Sequence, residues 1–87
     1  MLATPQEALH YLTVPEPPPH DSLLEPLREA DSWVRGRVEF DAYAPVPKAV
    51  SAATALLAAL FAVEPEARGD DASIPKMVWL MILPWAT

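Results

Sequence analysis

Cysteine is absent from this 87-residue chain, which removes thiol catalysis, a disulfide framework and cysteine-based zinc sites together. That absence also fits a reducing compartment. Glycine is nearly absent: Gly36 and Gly69 are the only two, too few for a glycine-rich phosphate cradle. The two histidines, His10 and His20, have no metal-ligand companion at helical spacing and read as surface or packing residues. His20, Asp21 and Ser22 are the residue types of a nucleophilic triad, but they are adjacent, and such triads are defined by convergent geometry. Asp70-Asp71 reads as a solvated turn rather than a general acid and base. The expectation is a protein that is not an enzyme, with no cofactor and no metal.

Basic residues are also scarce. Six Lys and Arg stand against twelve Asp and Glu, for a net charge of −6, and Arg28, Arg35, Arg37, Lys48, Arg68 and Lys76 are scattered. Gripping nucleic-acid phosphates requires clustered cations, so direct DNA or RNA binding is disfavoured, as is an anionic membrane surface. The opening MLATPQEALH has neither an early basic residue nor a long apolar core and does not read as a secretory signal. The longest uncharged run, Ala49 to Val63, falls short of the ~20 apolar residues that span a bilayer. A single domain over residues 1–87, with one modest core, is expected. A chain this short has a thin stability margin, which assembly with partners commonly supplements.

What the chain does contain is helical patterning. Thr4-Pro5-Gln6-Glu7 reads as a capping box with proline at the first helical position, opening a short helix whose packing face is Ala8, Leu9, Tyr11 and Leu12. Four prolines across residues 13–20 end it and favour an extended spacer. Asp21 or Ser22 offers the next cap. Leu23, Leu27, Ala30 and Val34 then form a helical stripe, flanked by Trp33, whose indole is expected on the core. Pro26 is awkward inside that helix, which leaves open a start with Pro26 at the first position; Gly36 is the expected stop. Residues 36–46 read as a loop anchored by Phe40 and Tyr43, with a weak strand signal from Val38 to Asp41.

The third helix, from Pro47 to about Val63, is apolar nearly all round. Val50, Ala53, Leu57 and Leu60 make one stripe, widened by Ala49, Leu56, Ala59 and Val63; only Lys48, Ser51 and Thr54 are polar. Its spare face implies a second chain. After an acidic connection, Ser73 is the expected cap of a last helix from Pro75 to about Leu83, where Pro84 stops it. No charge occurs from Met77 to Thr87. Ile74, Val78 and Ile82 share one helical row and Met77 and Met81 the next, while Trp79 and Trp85 are of the type enriched at interface hot spots. Residues 73–87 are therefore either an apolar docking segment or the closing layer of the chain's own core. Leu56, Leu60, Ile74, Met77, Val78, Trp79, Met81, Ile82 and Trp85 are the candidate partner or oligomer interface.

Taken in order, four segments resemble the small head–tail connector (adaptor) proteins of long-tailed double-stranded DNA bacteriophages. TPQEALHYLTV is similar to that family's opening helix, DSLLEPLREADSWVRGRV to its second, VPKAVSAATALLAALF to its third, and IPKMVWLMILPWA to its closing segment. The resemblance covers nearly the whole chain; each motif is a degenerate apolar pattern, and the specificity lies in their succession. The proline run and the final Trp85-Ala86-Thr87, where the family usually has Arg, depart from the pattern. The resemblance implies an all-α bundle of three to four helices with extended proline-rich and C-terminal segments, assembling side by side into a ring, commonly of twelve copies. It further implies a virion location at the head–tail junction, with the portal protein on one side, a downstream stopper, tail-terminator or other neck protein on the other, and DNA passing through the channel without sequence-specific binding. Without the resemblance, two other readings fit the composition: a small acidic inhibitory binder of the anti-defence type, and a generic helical dimerisation module.

Overall fold

The computed structural model describes all residues except 13–15, 17, 41–43 and 87. Among the described residues the α-helices are α1 (Pro5–Leu9), α2 (Leu24–Arg35), α3 (Lys48–Val63) and α4 (Lys76–Ile82). Single 3₁₀ turns cover His20–Leu23, Pro65–Ala67, Asp71–Ser73 and Leu83–Trp85. Among the described residues there is no strand, only one isolated antiparallel bridge between Val38 and Ala86. The expected all-α class is found, and the radius of gyration, 12.2 Å, matches the ~12 Å of a compact chain this long. Most of the proline-rich segment's first half, and the Tyr43 anchor, lie outside the described residues.

The start of α1 follows from local chemistry. Thr4 Oγ1 accepts the Glu7 N–H (3.2 Å), and Glu7 Oε1 accepts the Thr4 N–H (3.2 Å), so two otherwise orphaned donors are satisfied reciprocally. Glu7 also accepts the Ser51 hydroxyl through Oε2 (2.7 Å), tying α1 to α3. Ala8 is buried, but Tyr11, expected on the packing face, is exposed, because the helix ends at Leu9 and the chain turns.

The start of α2 differs from both expectations. Ser22 does not cap; its hydroxyl donates back to the Pro19 carbonyl (2.7 Å) inside the 3₁₀ turn. Pro26 occupies the third helical position rather than the first, buried on the core side. That position is tolerable because the first four N–H groups of a helix have no intrahelical acceptor. Leu23, Leu27, Ala30 and Val34 are fully buried, as the stripe predicts. Gly36 ends the helix with a negative φ, so its lack of a Cβ is not what stops the chain there. The weak strand signal at Val38 becomes the single bridge to Ala86.

α3 is the central element, packed against α1, α2 and α4. Its buried residues include Val50, Ala53, Ala55, Leu57, Ala58 and Phe61, and its many alanines let neighbouring helices approach closely. Thr54 is fully buried with its hydroxyl donating to the Val50 carbonyl (2.9 Å), so no polar atom is stranded. Three helices of the same chain cover one side of α3, and the side left over carries Ala49, Ser51, Ala52, Leu56, Leu60, Ala62 and Val63, all half-buried or exposed; its large apolar residues form the strip Leu56, Leu60 and Val63.

Beyond α3, Arg68 fastens the connection. Its guanidinium pairs with Glu29 on α2 (2.8 Å) and donates to the Phe61 carbonyl (3.3 Å) near the α3 C-terminus, where carbonyls lack intrahelical partners. Gly69, at φ 87°, makes the following turn in the left-handed region that side chains avoid. Ser73 does not cap α4; it bonds Asp70 (2.8 Å) within the preceding 3₁₀ turn, and Pro75 occupies the cap position.

Of the two readings left open for the C-terminal segment, the closing layer of the core describes its inner row. Ile74, Val78 and Ile82 are buried with the core, and the Glu39 N–H donates to the Trp85 carbonyl (2.8 Å). Burying a Val or Ile side chain is worth roughly 1.5–3 kcal/mol relative to leaving it in water, so three such side chains offset much of the entropy lost in ordering α4.

Candidate interaction surface

α4 has apolar residues on both sides, and its neighbours cover only one. The inner row, Ile74, Val78 and Ile82, is enclosed by the chain's own core, with Met81 and Trp85 half-buried beside it. These three are core side chains, not free surface, which removes them from the candidate interface. On the outer side stand Met77 (59% exposed), Trp79 (38%), Leu80 (58%) and, in the following turn, Leu83 (63%). Lys76 is the only charge within that ridge. Sequence reasoning singled out Met77 and Trp79 but missed Leu80 and Leu83. Their helical spacing from Met77 carries the signal, at steps of three.

One residue of the ridge, Trp79, is held by a side-chain clamp. The rings of Trp33 on α2 and Trp79 on α4 meet edge to face, 4.9 Å between centroids and 72° between planes. The Arg37 guanidinium lies 4.1 Å from the Trp33 ring centroid and 5.8 Å from that of Trp79. Asp71 closes the cluster: Oδ1 accepts the Trp33 indole N–H (3.0 Å) and Oδ2 accepts from Arg37 (2.7 Å). Bonding to that indole and, next, to Arg37 holds the Asp71 carboxyl below its ordinary range. Edge-to-face rings, a stacked guanidinium and a charge-assisted bond fix rotamers that free side chains would sample. Trp33 is thus half-buried between the core and the clamp rather than wholly interior.

A second apolar feature lies along α3. Leu56, Ala59, Leu60 and Val63, bounded by Tyr11 and Leu12 after α1 and by Pro75 before α4, line an open groove of about 220 Å³. Leu56 and Leu60 are the two α3 positions marked as interface by the sequence, and both are half-buried here.

The Glu7 carboxyl is held below its usual range, chiefly by the Ser51 hydroxyl, with burial opposing and Thr4 adding to the effect; that is cap chemistry. Among the described residues no three His, Cys, Asp or Glu gather in a metal-binding group, and no helix is long and apolar enough to cross a membrane. Comparison of the chain with protein-family models, with curated proteins and with solved structures finds no match.

Proposed function

We propose that this protein is a head–tail connector: a structural virion protein that forms a ring between the portal and the neck or tail of a bacteriophage, with DNA passing through the channel. The observation that carries the reading is the nearly uncharged outer ridge of α4, with Met77, Leu80 and Leu83 exposed beside Trp79, which packs edge to face on Trp33. A small protein gains nothing from such a ridge alone, and a contiguous apolar patch on a soluble chain marks a docking surface. The four motifs of the family resemblance also fall, in order, on α1, α2, α3 and α4.

The negative charge suits a ring around DNA. Acidic groups near the wall repel passing phosphates over about 8–10 Å at physiological ionic strength, which limits sticking. The nucleic-acid-mimic alternative needs a continuous acidic face. Asp31, Asp71 and Glu29 are instead paired with Arg35, Arg37 and Arg68 within the chain. In the decisive experiment, the purified chain is mixed with purified portal and imaged by electron microscopy. An added ring of density stacked on the portal is expected; portal particles without it overturn the proposal.

A further inference from the structure

We infer that the α3 groove is the seat for the α4 ridge of a second copy of this chain, so that copies join head to tail. The inference rests on the connector reading for the closure of the repeat into a ring; the contact itself is argued from the two surfaces.

The ridge does not fill the groove of its own chain: Met77, Leu80 and Leu83 are exposed, and of the residues around α4 only Pro75 lines the groove. Each copy therefore presents an uncovered apolar ridge and an unfilled apolar groove. Two different complementary faces define a heterologous contact, which closes into a ring when the rotation between copies allows. The groove, at about 220 Å³ and open to solvent, is smaller than the ~300–1,000 Å³ of typical small-molecule pockets. It fits a few side chains, not a cofactor.

Charge selects this pairing over ridge against ridge. Lys76 lies within the ridge, and exposed Glu64 follows Val63 at the end of the groove. Seating the ridge in the groove gives the lysine a carboxylate. A two-fold pairing of ridges sets each Lys76 against apolar surface or against its twin, and leaves Tyr11, Leu60 and Val63 in water.

The ridge offers on the order of 400 Å² of apolar surface, comparable to the largest patch on a typical monomer. That is about half of the ~800 Å² per partner of a standard stable interface. One contact alone is weak. In a closed ring every copy makes two, and none can leave without breaking both.

The cysteine-free chain makes the test clean. L60C, carrying an affinity tag, and untagged L80C are prepared separately, checked for native helicity by circular dichroism, mixed at about 1 mM and oxidised, with and without portal. A tagged–untagged disulfide heterodimer well above the homodimers of either variant is expected. Homodimers of L80C as the main product overturn the inference in favour of ridge-on-ridge pairing, and a mixture that stays monomeric under both conditions overturns it outright. The two proposals fail separately. A ring on the portal without the heterodimer keeps the connector and discards the contact; the heterodimer without a ring keeps the contact and discards the connector.

Discussion

α3 and α4 differ most where they look most alike. Both are apolar nearly all round, yet α3 packs against three other helices of its own chain and buries most of its large apolar side chains, whereas α4, a seven-residue helix, packs chiefly on α3 and leaves Met77, Trp79 and Leu80 exposed. Hydrophobicity therefore does not locate the free surface of this protein. What locates it is how many neighbours each helix has, and a central helix in a small bundle has as many as the chain can supply. An edge helix with apolar residues on both sides keeps the surplus outside.

The largest expected effect breaks that comparison on opposite sides of one helix. Ile82→Ala removes a buried side chain from the inner row and should cost about 2–5 kcal/mol, as should Leu57→Ala in the middle of α3. Leu80→Ala, on the ridge, should change folding stability by no more than about 0.5 kcal/mol. Chemical denaturation of the three variants at low protein concentration checks this. Equal losses for Ile82→Ala and Leu80→Ala would show that α4 has no free side.

A smaller effect tests α1, whose start is fixed by a capping box. Thr4→Ala removes one half of the capping box and should cost about 1 kcal/mol, measured in the same way.

How much of this was legible in the sequence follows the range of the interactions. The α1 cap involves residues three apart, and α3 begins one residue from its expected start and ends at Val63; such signals are local. The start of α2 was misread because Pro26 is held by core packing and Ser22 turns back to Pro19, choices that depend on what lies around them. The row Ile74, Val78, Ile82 was visible, but not its direction: with apolar residues on both sides, periodicity gives a helix without an inside. The clamp had no local signal beyond the spacing of Trp33 and Arg37, because Asp71 and Trp79 arrive from 38 residues and further along the chain.

Acid should loosen the clamp before it unfolds the core. The folded Asp71 carboxyl titrates below its unfolded value, so its contribution is fully present above about pH 4 and is lost as the pH falls through the lower, folded value. Tryptophan fluorescence should report a transition below pH 4 that Asp71→Asn abolishes, while far-ultraviolet circular dichroism changes less over the same range. A transition that persists unchanged in Asp71→Asn would mean that other carboxylates, such as Glu7 in the α1 cap, dominate the acid response.

The smallest effect sharpens the comparison from the outside, by asking whether the ridge of α4 and the strip left open on α3 recognise each other. An exposed ion pair is worth about 0.2–1 kcal/mol, so Lys76→Glu should weaken self-association by up to about fivefold. Adding Glu64→Lys should restore it. The charge swap has to be separated from net charge, since Lys76→Glu alone makes an already acidic chain more acidic and all copies repel more. Pairing Lys76→Glu with Glu39→Lys, an exposed position that does not line the groove, returns the same net charge without rebuilding the pair. Sedimentation equilibrium at low salt should then rank the double variants: recovery with Glu64→Lys and little recovery with Glu39→Lys. Equal recovery in both would assign the effect to overall repulsion, and the two apolar surfaces would lose the one polar contact that orients them. At high salt the ranking should collapse, because exposed pairs are screened there while apolar contacts are not.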